Sequence, residues 1–155
     1  MKIIKERKQS KKIKGLEKIK LDTFQDYRGE IWTVYSKEYS DDSFVADKIS
    51  ISRFGVLRGF HGDSYTTKMI SCLHGQFQLA VADLRKGSST YGINAHLSLS
   101  DKCLFYYKWS EHYRGPEAQV TVAWNDPDLN IDWAVQNPTL SERDKKGIKF
   151  EGVTL

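Results

Sequence analysis

Apolar and polar residues alternate with a period of two along most of the chain. Ile49, Ile51 and Arg53 alternate with Ser50 and Ser52; Phe77, Leu79 and Val81 with Gln78, Ala80 and Ala82; Val120, Val122 and Trp124 with Gln119, Thr121 and Ala123. Successive side chains of a strand point to opposite faces, so the pattern predicts short strands with one face packed and the other open. Turn-forming clusters punctuate them at His74-Gly75, Lys86-Gly87-Ser88-Ser89 and Asn125-Asp126-Pro127-Asp128, a spacing suited to an all-β sandwich or barrel. A helical turn is predicted only over Ser141 to Lys146, with Ser141 as its N-cap. No tandem repeat, linker or low-complexity stretch interrupts the pattern. Residues 21–155 are therefore predicted to form one β domain, whose interior is the default ligand site.

Composition leaves room for a real core: 155 residues with 39% hydrophobic content suit one domain. No apolar run approaches the roughly 18 residues needed to span a bilayer. The charged amino terminus is not followed by the apolar stretch of a secretory signal, so a cytoplasmic protein without membrane association is expected. Cys72 and Cys103 define neither a disulfide framework nor a zinc site; both are expected to be buried thiols.

The net charge of +4 divides unevenly. Residues 1–20 hold nine Lys or Arg against Glu6 and Glu17, a net of +7, which leaves −3 for the rest. The basic segment 1–20 is read as a solubilising lead-in that becomes the first strand near Ile19 to Leu21. It contains no aromatic residue and no binding motif, so nucleic acid is not expected as a partner.

The chemistry concentrates in Gly55-Val56-Leu57-Arg58-Gly59-Phe60-His61-Gly62-Asp63. Glycines at 55, 59 and 62 permit backbone geometries that other residues resist. An imidazole held there, three residues after a fixed cation, can act as a base on an anionic substrate; the plainer alternative is a histidine that satisfies a strand end. His61-Gly62-Asp63 offers one imidazole where a β-barrel metal site wants two, so no metal is expected. His74, His96 and His112 read as surface or cap residues. In Phe105-Tyr106-Tyr107-Lys108-Trp109 one of two adjacent tyrosines must face inward, either to donate a proton or merely to pack. Asp144 can orient an imidazole, or be an ordinary solvated carboxylate.

Taken in order, these motifs resemble the dTDP-4-dehydrorhamnose 3,5-epimerase family, cupin-type nucleotide-sugar epimerases. The resemblance runs through Phe24-Gln25-Asp26-Tyr27-Arg28-Gly29, Gly55 to His61, Val81-Ala82-Asp83-Leu84-Arg85, Tyr107-Lys108, Trp124-Asn125-Asp126-Pro127 and Pro138-Thr139-Leu140-Ser141-Glu142-Arg143-Asp144. It implies an all-β, cupin-like jelly roll (a double-stranded β-helix) and a cofactor-independent isomerase of a 4-keto-6-deoxy nucleotide sugar, serving surface polysaccharide synthesis, in a homodimer. By the same resemblance His61 is the base, Asp144 its orienting partner and Tyr107 the acid. Lys68 stabilises the enolate oxygen, Arg28 and Arg58 hold phosphate or sugar oxygens, Arg143 stands where the family has a substrate-contacting lysine, and Glu117 matches a nucleotide-side carboxylate.

The chain departs from the family pattern in three places. Ala46 and Lys48 replace a Gln and an Asn of the nucleotide site, and Gly62-Asp63 replaces an aromatic-Gln pair. Leu97-Ser98-Leu99-Ser100-Asp101-Lys102 runs almost directly into Cys103 to Tyr107, so about 15 to 20 residues, one or two strands, are missing between two similar stretches. Such a loss implies re-paired neighbouring strands or reliance on a dimer partner, and it keeps a second reading open: a catalytically impaired sugar-nucleotide-binding or scaffold homologue.

Overall fold

The computed structural model describes residues 3–97, 100–153 and 155. Among them run β1 (Ile4–Gln9), β2 (Glu17–Leu21), β3 (Thr23–Asp26), β4 (Gly29–Trp32), β5 (Ala46–Ser52), β6 (His61–Gly62), β7 (Lys68–Gln76), β8 (Leu79–Ala82), β9 (Asn94–Leu97), β10 (Ser100–Trp109) and β11 (Val120–Thr121). Helical structure among the described residues is confined to three-residue 3-10 turns, as the period-two pattern predicts.

The amino-terminal segment differs from a lead-in. β1 pairs antiparallel with β2, and the hairpin is fastened to the body through Arg7, whose guanidinium donates to the carbonyls of Glu38 and Tyr39 at 2.5 and 3.1 Å. Ile13, in the loop of the hairpin, is 4% exposed. The Ile4–Gln9 stretch carries no apolar alternation because all but its first residue face solvent.

β10 is the centre of the main sheet, in the order β5-β10-β7, and its register decides which side chains face the site. Tyr107 lies opposite Lys48 and Ile70, Trp109 opposite Ala46 and Lys68, and Phe105 opposite Ser50 and Cys72. Directly opposed residues share a face, so Tyr107, Trp109, Lys48 and Lys68 line one side of the sheet. The other side carries Tyr106, Ile49 and Ile51, the two isoleucines being 65% and 60% exposed. The alternation in β5 thus marks a strand whose polar set, not its apolar set, faces inward.

A small apolar core is formed by Leu84, Val122, Leu129, Phe150 and Val153, with Phe60 and Leu155 against it. It fixes both flanks of His61: Phe60 and Val122 exchange backbone hydrogen bonds at 3.1 Å, which sets β6 beside β11. At the predicted junction, β9 pairs with β8 while Ser100 of β10 pairs with Gln76 of β7, so the two strands on either side of the short connection are bound to different partners. Cys103 is buried as expected; Cys72 is exposed, because the segment around it is an outer strand of the sheet among the described residues.

Candidate active site

His61 is delivered by the glycine-framed turn that precedes β6. Gly55 and Gly59 have φ of 78° and 142°, which side chains resist, so the turn demands glycine at both. Asp144 comes from the far end of the chain. Residues 138–148 return alongside the same turn: Thr139 and Gly55 to Leu57 are joined by backbone hydrogen bonds of 2.7 and 3.1 Å, and Ile148 bonds to Thr121 and Ala123. A Cβ on Gly147 would lie 2.6 Å from the Ala123 nitrogen, so only glycine lets this segment lie so close.

The two meet directly. His61 Nε2 lies 2.5 Å from Asp144 Oδ1, with Asp144 3% exposed and the imidazole 29% exposed. Ser141 Oγ donates to Asp144 Oδ2 at 2.8 Å and accepts from the Asp144 amide, so it fixes the carboxylate, whereas the helical turn itself is only Asp144–Lys146, with Arg143 rather than Ser141 at its N-cap. With Nε2 committed to Asp144, Nδ1 is the ring nitrogen left to take a proton. Burial holds the His61 pKa below its ordinary value; Asp144 opposes that, and the nearby cations Arg143 and Lys68 reinforce it. The imidazole is thereby kept in its basic, neutral form near neutrality.

Lys68 lies over the Trp109 ring, 5.0 Å from its centroid, and Lys48 over the same ring at 3.8 Å. Burial lowers the Lys68 pKa, Asp63 at 3.9 Å raises it, and Arg143 and Lys48 lower it further. Tyr107 is packed between Phe105 and Trp109, with ring centroids 5.5 and 6.0 Å away. Arg143 donates from Nε to Thr121 Oγ1 at 2.7 Å, while its buried Nη2 has no hydrogen-bond partner among the described residues. Trp109 Nε1 is buried and unpaired likewise.

Other predicted residues stand apart. Arg58 is exposed, donating from Nε to Ser52 Oγ at 3.1 Å on the inner face of β5. Arg28 is exposed at the β3–β4 turn, paired with Asp26 at 2.6 Å, and Glu117 is exposed beside Gly115. Sequence reasoning did not single out Ser141, Trp109 and Gln119 as parts of the site; of these only Ser141 had a legible signal, three residues before Asp144. No cluster of three or more His, Cys, Asp or Glu suited to a metal occurs among the described residues, and no helix among them is long and apolar enough to cross a membrane. Two surface clefts of about 280 Å³, one between Trp124 and Gln136 and one lined by Ile51, His74, Cys103 and Leu104, do not include His61.

The sequence pattern of dTDP-4-dehydrorhamnose 3,5-epimerases matches residues 10–100 and again 92–152. The two matches overlap at residues 92–100. The dTDP-4-dehydrorhamnose 3,5-epimerase of Pseudomonas aeruginosa is 32% identical over 157 aligned positions, which cover 82% of this chain and 86% of that protein. Since 82% of 155 residues is about 127, about 30 of the 157 positions face no residue here, in total more than the resemblance alone implies. Among solved structures, the Elizabethkingia anophelis enzyme of the same name superposes with a TM-score of 0.79 at 29% identity, covering 94% of this chain and 96% of that one. A Legionella pneumophila dTDP-6-deoxy-D-glucose-3,5-epimerase, solved with dTDP-4-keto-L-rhamnose, gives 0.76 at 28% identity, covering 87% of each chain. The architecture is the cupin-like jelly roll of these enzymes, and the chain belongs to the dTDP-4-dehydrorhamnose 3,5-epimerase family.

Proposed function

We propose that this protein epimerises a dTDP-linked 4-keto-6-deoxyhexose without a cofactor, as a step toward surface polysaccharide. A ketone at carbon 4 acidifies the C–H bonds at carbons 3 and 5. In this reading Nδ1 of His61 takes one of those protons, the bond's electron pair moves onto the carbonyl oxygen, and the enolate forms while Asp144 stabilises the imidazolium. Lys68 is the fixed positive charge for the enolate oxygen, in a site where low polarity strengthens it. Tyr107 returns a proton to the opposite face of the carbon; its phenolate is then reprotonated and His61 releases its proton, so nothing is oxidised or reduced. Arg58 and Arg143 hold sugar or diphosphate oxygens through forked contacts.

The observation that carries this reading is the half-exposed His61 imidazole held 2.5 Å from the buried Asp144 carboxylate, in a chain of this family, with Lys68 and Arg143 beside it. Support for Tyr107 is its place on the same sheet face as Lys68. Arg28 and Glu117 are exposed in the single chain, and we assign them to phosphate and nucleotide contacts completed in a homodimer. Supporting a second copy are the exposed Ile49, Ile51, Phe24 and Ile31. Nucleotide sugars would be met in the cytoplasm. Incubation with the keto sugar and proton NMR of the product tests the proposal: inversion at carbon 3, carbon 5 or both supports it, whereas saturable binding with no change in the sugar makes the chain a sugar-nucleotide-binding homologue.

A further inference from the structure

Asp63 stands where the family pattern has a glutamine, and it is buried, its side chain 2% exposed. Its two oxygens have separate partners. Oδ1 accepts from the amides of Tyr65 and Thr66 at 3.2 and 2.7 Å and so closes the turn after β6. Oδ2 accepts from Gln119 Nε2 at 2.9 Å and lies 3.9 Å from Lys68 Nζ. Gln119 in turn offers Oε1 to Arg143 Nη1 at 3.5 Å. A carboxylate only accepts, so it fixes which end of the Gln119 amide faces it. The amide nitrogen goes to Asp63, and the carbonyl oxygen is left for Arg143. Were residue 63 neutral, the amide would have no reason to keep that sense, and its NH2 could turn against the guanidinium.

We propose that Asp63 is the positioning residue of this site, holding Lys68 charged and, through Gln119, fixing the Arg143 guanidinium beside His61 for substrate binding. The proposal rests on the epimerase reading for the identity of the substrate, and on geometry alone for the network. The charged groups that face Lys68 are Asp63, Arg143 and Lys48, with the Trp109 ring beneath it; His61 lies within the same field. Removing the one anion that opposes three cations lowers the Lys68 titration midpoint. It also lets the Arg143 fork turn, which weakens substrate binding.

Asp63→Asn keeps the turn-closing oxygen and removes the charge. Asp63→Asn with Gln119→Glu moves the anion one side chain along, where the new carboxylate can accept both from the amide introduced at position 63 and from Arg143. Lysine Cε-labelled carbon NMR, with the Lys68 signal assigned by Lys68→Arg, reads the network without turnover. Asp63→Asn is expected to lower the Lys68 midpoint by at least about half a unit and to raise KM for the keto sugar at least fivefold with a smaller change in kcat. The double variant is expected to recover both. Gln119→Leu, which leaves the 63–66 turn alone, is expected to raise KM with the Lys68 midpoint near that of the parent, and it serves if Asp63→Asn fails to fold. An unmoved Lys68 midpoint in folded Asp63→Asn, or a parental KM in Gln119→Leu, overturns the proposal and reduces Asp63 to a turn cap. If the parent chain binds the sugar without turning it over, the epimerase reading fails while the lysine titration and the binding constant, measured in place of KM, still decide the role of Asp63.

Discussion

Replacing Asp144 with asparagine removes a charge and little else. The side chain keeps its size and its contact with Ser141, but the oxygen at 2.5 Å from His61 Nε2 no longer carries the anion that stabilises imidazolium. A hydrogen bond to a charged group contributes about 1.5–3 kcal/mol. At about 1.4 kcal/mol per factor of ten, proton abstraction should slow by roughly 10- to 150-fold. The same loss should lower the His61 titration midpoint further, since Asp144 is the group that opposes the effect of burial. The assay is exchange of solvent deuterium into the keto sugar, with the imidazole carbon signals followed by NMR over pH. An Asp144→Asn chain that exchanges at the parental rate and titrates His61 unchanged would refute the orienting role of the pair.

Tyr107→Phe should leave exchange at the abstracted position while suppressing inversion roughly 100-fold, since only the returning acid is lost; product configuration against deuterium content separates the two. Partial burial of the His61 ring disfavours its charged form, so its folded pKa lies below the ordinary value of 6.5. The acid limb of the rate profile should therefore fall below pH 6.5, and the stability linked to this group, present above 6.5, should decline as pH falls toward the depressed value. Asp83, 1% exposed and bonded to Arg85, Ser88 and Thr90, has its pKa strongly depressed, chiefly by Arg85. Its contribution is present above about pH 4 and lost below it; Asp83→Asn should cost about 2–3 kcal/mol in urea unfolding at pH 7 and progressively less in acid. Gly147→Ala should unseat residues 144–148 from Ala123 and abolish exchange in a chain that still binds its hairpin and sheet together, as near-UV and far-UV circular dichroism would report.

Much of this site was legible because each catalytic candidate sits in its own local signal: glycines around His61, a tyrosine pair in a strand, and Ser141 three residues before Asp144. What failed to read were properties set by distant residues. Alternation identifies β5 as a strand but has two solutions for its facing, and the usual one puts Ile49 and Ile51 inside. Here Lys48, Ser50 and Ser52 face inward instead, opposite the Tyr107 and Phe105 rings and Cys103. β1 was invisible because Lys5, Glu6, Arg7, Lys8 and Gln9 have no apolar face, and its place depends on pairing with β2 and on Arg7 reaching Glu38. The Asp63–Gln119 contact joins residues 56 apart, beyond any local pattern.

The central claim, that His61 removes a proton alpha to a ketone, is tested most directly by solvent deuterium incorporation into a dTDP-linked 4-keto-6-deoxyhexose with the parent chain and with His61→Ala. A base at His61 predicts deuterium at carbon 3 or carbon 5 with the parent, and loss of incorporation with the variant although the sugar nucleotide still binds. Equal incorporation by both chains, or none by the parent at saturating substrate, would contradict it.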